Sequence, residues 1–211
     1  MRILSITPIA VDEHELTRRQ QRYDRIAPAS VHVHLENLGR GSGVPTALET
    51  ADDVAASEAA LLRRYANADA GAYDAYLPDC VLDPVVDHAD RLPLPVHGIG
   101  RLTAHYLAGL GLRFRAVARN LAIAAELDRK LRSYGIPHAQ PTAVMELSVA
   151  DIADDSTWAA AVQRAVADLD CAAVLNACSA VDVRSASGGP WQVDPTATAL
   201  RLLGALRDVA R

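Results

Sequence analysis

The chain has 211 residues, half of them hydrophobic, which suits one large domain or two of about 100 residues, either able to bury a core, and excludes a disordered chain. A formal charge of −5, with 21 Lys+Arg against 26 Asp+Glu and no Lys/Arg run interleaved with aromatics, excludes a surface built to track a phosphate backbone, so no nucleic-acid partner is expected. The longest apolar runs fall well short of the roughly 18 to 20 residues that span a bilayer, so no membrane partner is expected either.

In chain order, Arg2 to Thr7 is an apolar first strand rather than a signal peptide, lacking a long apolar run and a cleavage site. Glu13 to Arg25, charged and poor in apolar positions, is a weakly amphipathic helix or a mobile arm. Val31 to Leu35 alternates as a second strand. Gly39-Arg40-Gly41-Ser42-Gly43 is a flexible loop without the Lys-Ser/Thr of a P-loop or the G-x-G-x-x-G spacing of a dinucleotide site. Pro45 leads into a long helix over Thr46 to Tyr65. Ala75 to Cys80 is a short buried strand delivering a cysteine to its end, and Asp83 and Pro84 read as the cap and first residue of a helix, which would set Cys80 beside a helix N-terminus that favours a thiolate. Leu94 to Gly100 is a strand breaking at Gly98 and Gly100, whose lack of a side chain lets backbone approach a ligand or a neighbouring helix. A helix over Arg101 to Leu110, a strand over Phe114 to Ala118 and a helix over Asn120 to Tyr134 follow, the last stopped by Gly135-Ile136-Pro137. Ala143 to Leu147 is a strand, Asp155/Ser156 cap a helix to about Leu169, a strand runs into Cys178, a loop passes through Gly188-Gly189-Pro190, and Val193-Asp194-Pro195 opens a last helix to Arg211.

Strand and helix alternate throughout, which predicts parallel sheets covered on both faces, with ligands beyond the carboxyl ends of the strands. Ala173-Val174-Leu175-Asn176-Ala177-Cys178 repeats the pattern of the segment ending in Cys80, 98 residues later. The chain therefore reads as a duplicated α/β unit, with one thiol from each copy on either side of a shared cleft. Three cysteines, an odd number, make no disulfide framework, so a cytoplasmic, reducing setting is expected. No metal site is expected: Cys171 and Cys178 have no nearby His, and His32 and His34 share a strand face without a third ligand. A buried cysteine is by default a small core hydrophobe, and Cys171 keeps that reading.

Cys80-Val81-Leu82-Asp83-Pro84, Pro95-Val96-His97-Gly98-Ile99-Gly100, Pro45-Thr46-Ala47-Leu48-Glu49 and Val174-Leu175-Asn176-Ala177-Cys178-Ser179-Ala180, in this order and spacing, resemble motifs of the aspartate/glutamate/hydantoin racemase superfamily, in its hydantoin-racemase-like branch. The resemblance implies two pseudo-symmetric Rossmann-like lobes with parallel sheets and the active site in the cleft between them. Residues 1–98 plus 195–211 would form the first lobe and 99–194 the second. It implies a cofactor-independent racemase or epimerase in which Cys80 and Cys178, as a thiolate/thiol pair, remove and return a proton at a carbon next to a carbonyl. Backbone N–H groups following the two cysteines would hold the oxygen on which charge develops. Relatives of this kind assemble into dimers or larger rings, so a homo-oligomer acting on a small carboxylate or cyclic amide is expected.

Departures from the family's pattern mark the substrate. Where an Asn-Pro-Asn-Thr signature would bind it, the chain has Thr7-Pro8-Ile9-Ala10; where a Thr-Thr pair would stand, it has Ala118-Arg119. The substrate-binding set expected by correspondence is Thr7, Pro8, Val81, Arg119, Asn120 and Ser179, with Arg119 able to replace the lost donors by a bidentate grip on a carboxylate. Asp79 and Asp83, near Cys80, would work against its thiolate. The alternatives are a cis–trans isomerase or decarboxylase of a dicarboxylate, or a lapsed enzyme that binds a small molecule.

Overall fold

The structure, a computed structural model, describes residues 1–41, 43–136, 141–167, 171–183 and 189–209. The parts of the sequence reading that rest on Ser42, Pro137, Leu169, Gly188 and Arg211 lie outside these residues. Strands β1 (Arg2–Ile6), β2 (His32–Glu36) and β3 (Ala75–Tyr76) form one parallel sheet in the order β2-β1-β3. Strands β4 (Phe114–Ala118), β5 (Ala143–Val144), β6 (Ala173–Asn176) and β7 (Trp191–Val193) form a second, also parallel, in the order β5-β4-β6-β7. Val96 bridges in parallel to Tyr76 on the far side of β3, the place that β7 takes beside β6. Both halves thus repeat one strand order, and the α/β architecture with two parallel-sheet lobes is as expected.

Helices α1 (Glu13–Ile26), α2 (Ala51–Ala66), α3 (Ile99–Gly109), α4 (Leu121–Ser133), α5 (Asp155–Val166) and α6 (Pro195–Val209) make the crossovers and covers. Polar side chains satisfy their first N–H groups: Asp12 accepts from Glu15, Thr50 and Asp53 form a reciprocal box, Asn120 accepts from Ile123, Asp154 from Ser156 and Thr157, and Asp194 from Ala197. Residues alternate across each strand, so Ile3, Phe114, Ala116, Ala173 and Leu175 join one core common to both lobes. Leu4 and Ile6 face a second core with Leu61 and Tyr65, and Val117 and Val174 a third with Trp158. α6 packs on α3, and a Cβ placed at its Gly204 would lie 3.1 Å from Pro28, at the start of β2's approach.

Several local expectations change. The segment Glu13 to Arg25 is a helix with Arg19, Arg22 and Tyr23 buried, not an arm. α2 starts at Ala51, because Thr50 caps it, and residues 46–50 instead reach across to the other lobe. No helix starts at Pro84: Asp83 (φ 52°) and Val85 (φ 63°) are left-handed, and only a 3-10 stretch at Val86–Arg91 follows. Asp83 caps α3 instead, accepting from the N–H groups of Gly100 at 2.8 Å and Arg101 at 2.6 Å. That contact explains the two glycines: a Cβ at Gly98 would lie 2.6 Å from the Asp83 carboxyl carbon, and one at Gly100 2.2 Å from the Val81 carbonyl oxygen. The close approach is to the Cys80 loop. β5 stops at Val144, two residues before Glu146 turns left-handed (φ 55°), and β7, read as loop from the sequence, pairs with β6.

Candidate active site

A cleft opens where the carboxyl ends of the two sheets face each other. From the first lobe come Pro8 and Ile9 after β1, Arg19 from α1, and the loop Asp79 to Leu82 after β3. From the second come Arg119 after β4, Ile123 from α4, and the loop Ala177 to Ala180 after β6. Cys80 and Cys178 both line the cleft, each just past the strand that neighbours the first strand of its sheet. Each sulfur faces the backbone N–H of the residue two positions on, Leu82 for Cys80 and Ala180 for Cys178, so the two thiol loops share a local geometry. The Ser179 hydroxyl donates to the Asp79 carbonyl at 2.9 Å and ties one loop to the other.

The charges around the two thiols differ. Asp79 is almost wholly buried, with one carboxylate oxygen accepting from the Tyr23 hydroxyl and the other from Arg19 Nη1, both at 2.9 Å. Arg19 Nε donates to Glu15 at 2.6 Å, which also receives Arg18, so the cleft's guanidinium is flanked by two carboxylates and stays protonated throughout. Burial pushes the Cys80 thiol up to about 12, and Asp79 and Asp83 push the same way. Burial also raises Cys178, but Arg19 and Arg22 draw it back toward the thiolate against Asp79. The sequence reading had placed the thiolate-favouring setting at Cys80; with no helix starting beside it and two carboxylates nearby, that setting is absent there.

The structure brings Pro8, Val81, Arg119 and Ser179 to the cleft with the two cysteines. Thr7 and Asn120 are not among its lining residues. Thr7 is fully buried, its hydroxyl donating to the Ile9 carbonyl at 2.8 Å and accepting from Leu38 N–H at 3.0 Å. Asn120 caps α4 and donates to the Leu48 carbonyl and Glu49. Arg119 holds one oxygen of a carboxylate of the chain itself: Nη1 donates to Glu49 Oε1 at 2.7 Å and to the Leu147 carbonyl, and Nη2 to the Leu48 carbonyl. Arg19 was missed because its helix is charged and gives no apolar stripe. The available signal was the i, i+4 pair Glu15/Arg19, which fixes the guanidinium's direction.

Duplicated parallel sheets that share one cleft, with a thiol on each wall, define a two-lobed α/β protein. The chain belongs to the Asp/Glu/Hydantoin racemase family, whose model matches residues 20–202. No curated protein matches it at the level of sequence. Among solved structures it resembles allantoin racemase from Pseudomonas fluorescens, at a TM-score of 0.82 and 15% identity, covering 100% of this chain and 92% of that one. It also resembles allantoin racemase from Klebsiella pneumoniae (TM-score 0.76, 16% identity, 100% and 89% covered). The maleate isomerase Iso from Pseudomonas putida S16 is a third such structure (TM-score 0.63, 15% identity, 98% and 93% covered). At these identities the likeness is one of fold. No described helix is long and apolar enough to cross a membrane.

Proposed function

We propose that the protein is a cofactor-independent racemase or epimerase in which Cys80 and Cys178 exchange a proton with a carbon next to a carbonyl. The observation that carries this reading is the pair of thiols at corresponding ends of the two sheets, on opposite walls of one cleft. One thiolate removes the proton and leaves the C–H electron pair as an enolate, and the opposite thiol returns a proton to the other face. The N–H groups of Val81 and Ser179, which directly follow the cysteines and have no hydrogen-bond acceptor among the described residues, are the donors for the enolate oxygen.

The cleft wall favours a neutral cyclic amide with an apolar substituent over a dicarboxylate. Most lining side chains are aliphatic, and each guanidinium already holds a carboxylate: Arg119 holds Glu49, and Arg19 holds Asp79 and Glu15. Allantoin, the compound in the names of two structural neighbours, is a neutral cyclic amide, with a polar ureido substituent.

The test is deuterium uptake at the carbon in heavy water across hydantoins, allantoin, amino acids and small dicarboxylates, for the native chain, Cys80→Ser and Cys178→Ser. Uptake from a cyclic amide, with racemisation lowered about 10²- to 10⁴-fold in either variant, is the expected result. Uptake from none of the compounds would sink the reading, and product formation from a dicarboxylate alone would replace it with isomerase or decarboxylase chemistry.

A further inference from the structure

We infer that Arg19 is a positioning residue that makes Cys178 the base and Cys80 the acid of the resting protein. This rests on the two-thiol reading above and adds a direction to it.

Topology supplies the first observation. The two halves run β1-α1-β2-α2-β3 and β4-α4-β5-α5-β6, so α4 is the counterpart of α1. Both helices present a residue to the cleft, but α1 presents Arg19 and α4 presents Ile123. The second lobe's guanidinium in the cleft, Arg119, comes instead from the end of β4, so the two lobes place their cations differently.

That charge is held in place. Arg19 is 6% exposed and fixed on two sides, by Glu15 at 2.6 Å and Asp79 at 2.9 Å. Its helix is in turn clamped onto the segment that follows Cys178. Arg18 donates to the Ala180 carbonyl at 2.9 Å, and Arg22 reaches Asp182 at 3.0 Å and Asp194 at 2.6 Å. A guanidinium so anchored cannot swing from one thiol to the other.

Cys178 faces Arg19 and Arg22 from α1, Asp79 from the loop after β3, and the Ala180 N–H of its own loop. The groups acting most strongly on Cys80 are Asp79, Asp83, Cys178 and the Leu82 N–H, none of them a cation. Arg119, on the opposite wall, is paired with Glu49, as Arg19 is with Glu15 and Asp79. Both thiols pay the same kind of desolvation cost, so the difference in charge decides which is the more acidic.

The step then balances as follows. Cys178 sulfur, as thiolate, takes the proton from carbon; the electron pair enters the enolate; Cys80 S–H protonates the opposite face and becomes the thiolate. A second turnover in the same sense requires a proton to pass back from Cys178 to Cys80.

The experiment follows iodoacetamide alkylation of each cysteine peptide by mass spectrometry from pH 6 to 11, in the native chain, Arg19→Met and Arg19→Lys. Cys178 is expected to titrate below Cys80. Arg19→Met should raise the Cys178 midpoint by about one unit, roughly a tenfold loss of rate below it, and raise Cys80, beside the uncompensated Asp79, as well. Arg19→Lys should restore the native Cys178 profile. A purely structural arginine would not sort the two profiles by charge.

Should Arg19→Met not fold, with Asp79 left uncompensated, the double variant Arg19→Met/Asp79→Asn removes both charges and should narrow the gap between the two midpoints, with Asp83 and Arg22 still acting. Cys80 titrating first in the native chain, or Cys178 midpoints that ignore the charge at position 19, would overturn the assignment. Ordered titration without proton exchange on any compound would instead overturn the proposed function and, with it, the base and acid roles, leaving only the order of thiol acidities.

Discussion

The Asp83 carboxylate is wholly buried, accepts from two backbone N–H groups of α3 and from the Tyr134 hydroxyl, and is still pushed up to about 6, because burial outweighs these donors. A folded value above the unfolded one means that the native state holds its proton longer as pH rises. The contribution of Asp83 to stability is therefore complete below about pH 4 and lost as pH passes about 6, of the order of 3 kcal/mol. Asp83→Asn removes this titration. Relative to that variant, the native chain should lose about 3 kcal/mol between pH 4 and pH 7 in urea unfolding, and parallel pH profiles would contradict the assignment. The residue's role was only half legible in the sequence. Asp-x-Val before a run of turns looks like a local cap, and the helix Asp83 does cap begins 16 residues later, across a contact that only the folded chain makes.

At the scale of elements, the stretch from Leu48 to Glu49, just ahead of α2, is a latch between the lobes. Arg119 and Asn120 each hold one oxygen of Glu49 at 2.7 Å, and both also bond the Leu48 carbonyl. Glu49 is half exposed, so the ion pair itself adds little, on the order of 1 kcal/mol. Its larger effect is to occupy the guanidinium that a substrate carboxylate would want. Glu49→Gln should leave unfolding within about 1 kcal/mol of native and raise kcat/KM for carboxylate-bearing compounds about tenfold relative to neutral cyclic amides, measured as deuterium uptake. Unchanged relative rates would show that Arg119 does not reach the substrate.

The main strands and α4 were legible because apolar alternation and an Asn cap are local signals, as at Phe114 to Ala118 and Asn120. β7 was not, since three residues after Gly189-Pro190 carry too little periodicity. α1 is legible only as a helix or an arm, because its buried face is arginine and tyrosine, which become core only through partners on other elements.

For the whole molecule, the common core matters more than the division into halves. Ile3, Leu77, Ile99, Phe114, Leu127 and Leu175, from both lobes, lie in one cluster. Arg22 and Arg25 of α1 both hold Asp182, beyond β6. Unfolding one lobe would expose the inner face of the other, so the two should melt together. Fluorescence of Trp158, in the second lobe's outer core, and far-ultraviolet circular dichroism should give coincident urea transitions; separated midpoints would reveal lobes of independent stability.

The repeated strand order also bears on how the proposed reaction can run. Mirror-image compounds with a single stereocentre have equal free energies, so a catalyst that interconverts them must show the same kcat/KM for both, by the Haldane relation. Here Arg19 on one side answers Ile123 on the other. The inequality between the walls can therefore surface only as paired changes in kcat and KM, the enantiomer bound more tightly in its ground state being turned over more slowly by the same factor.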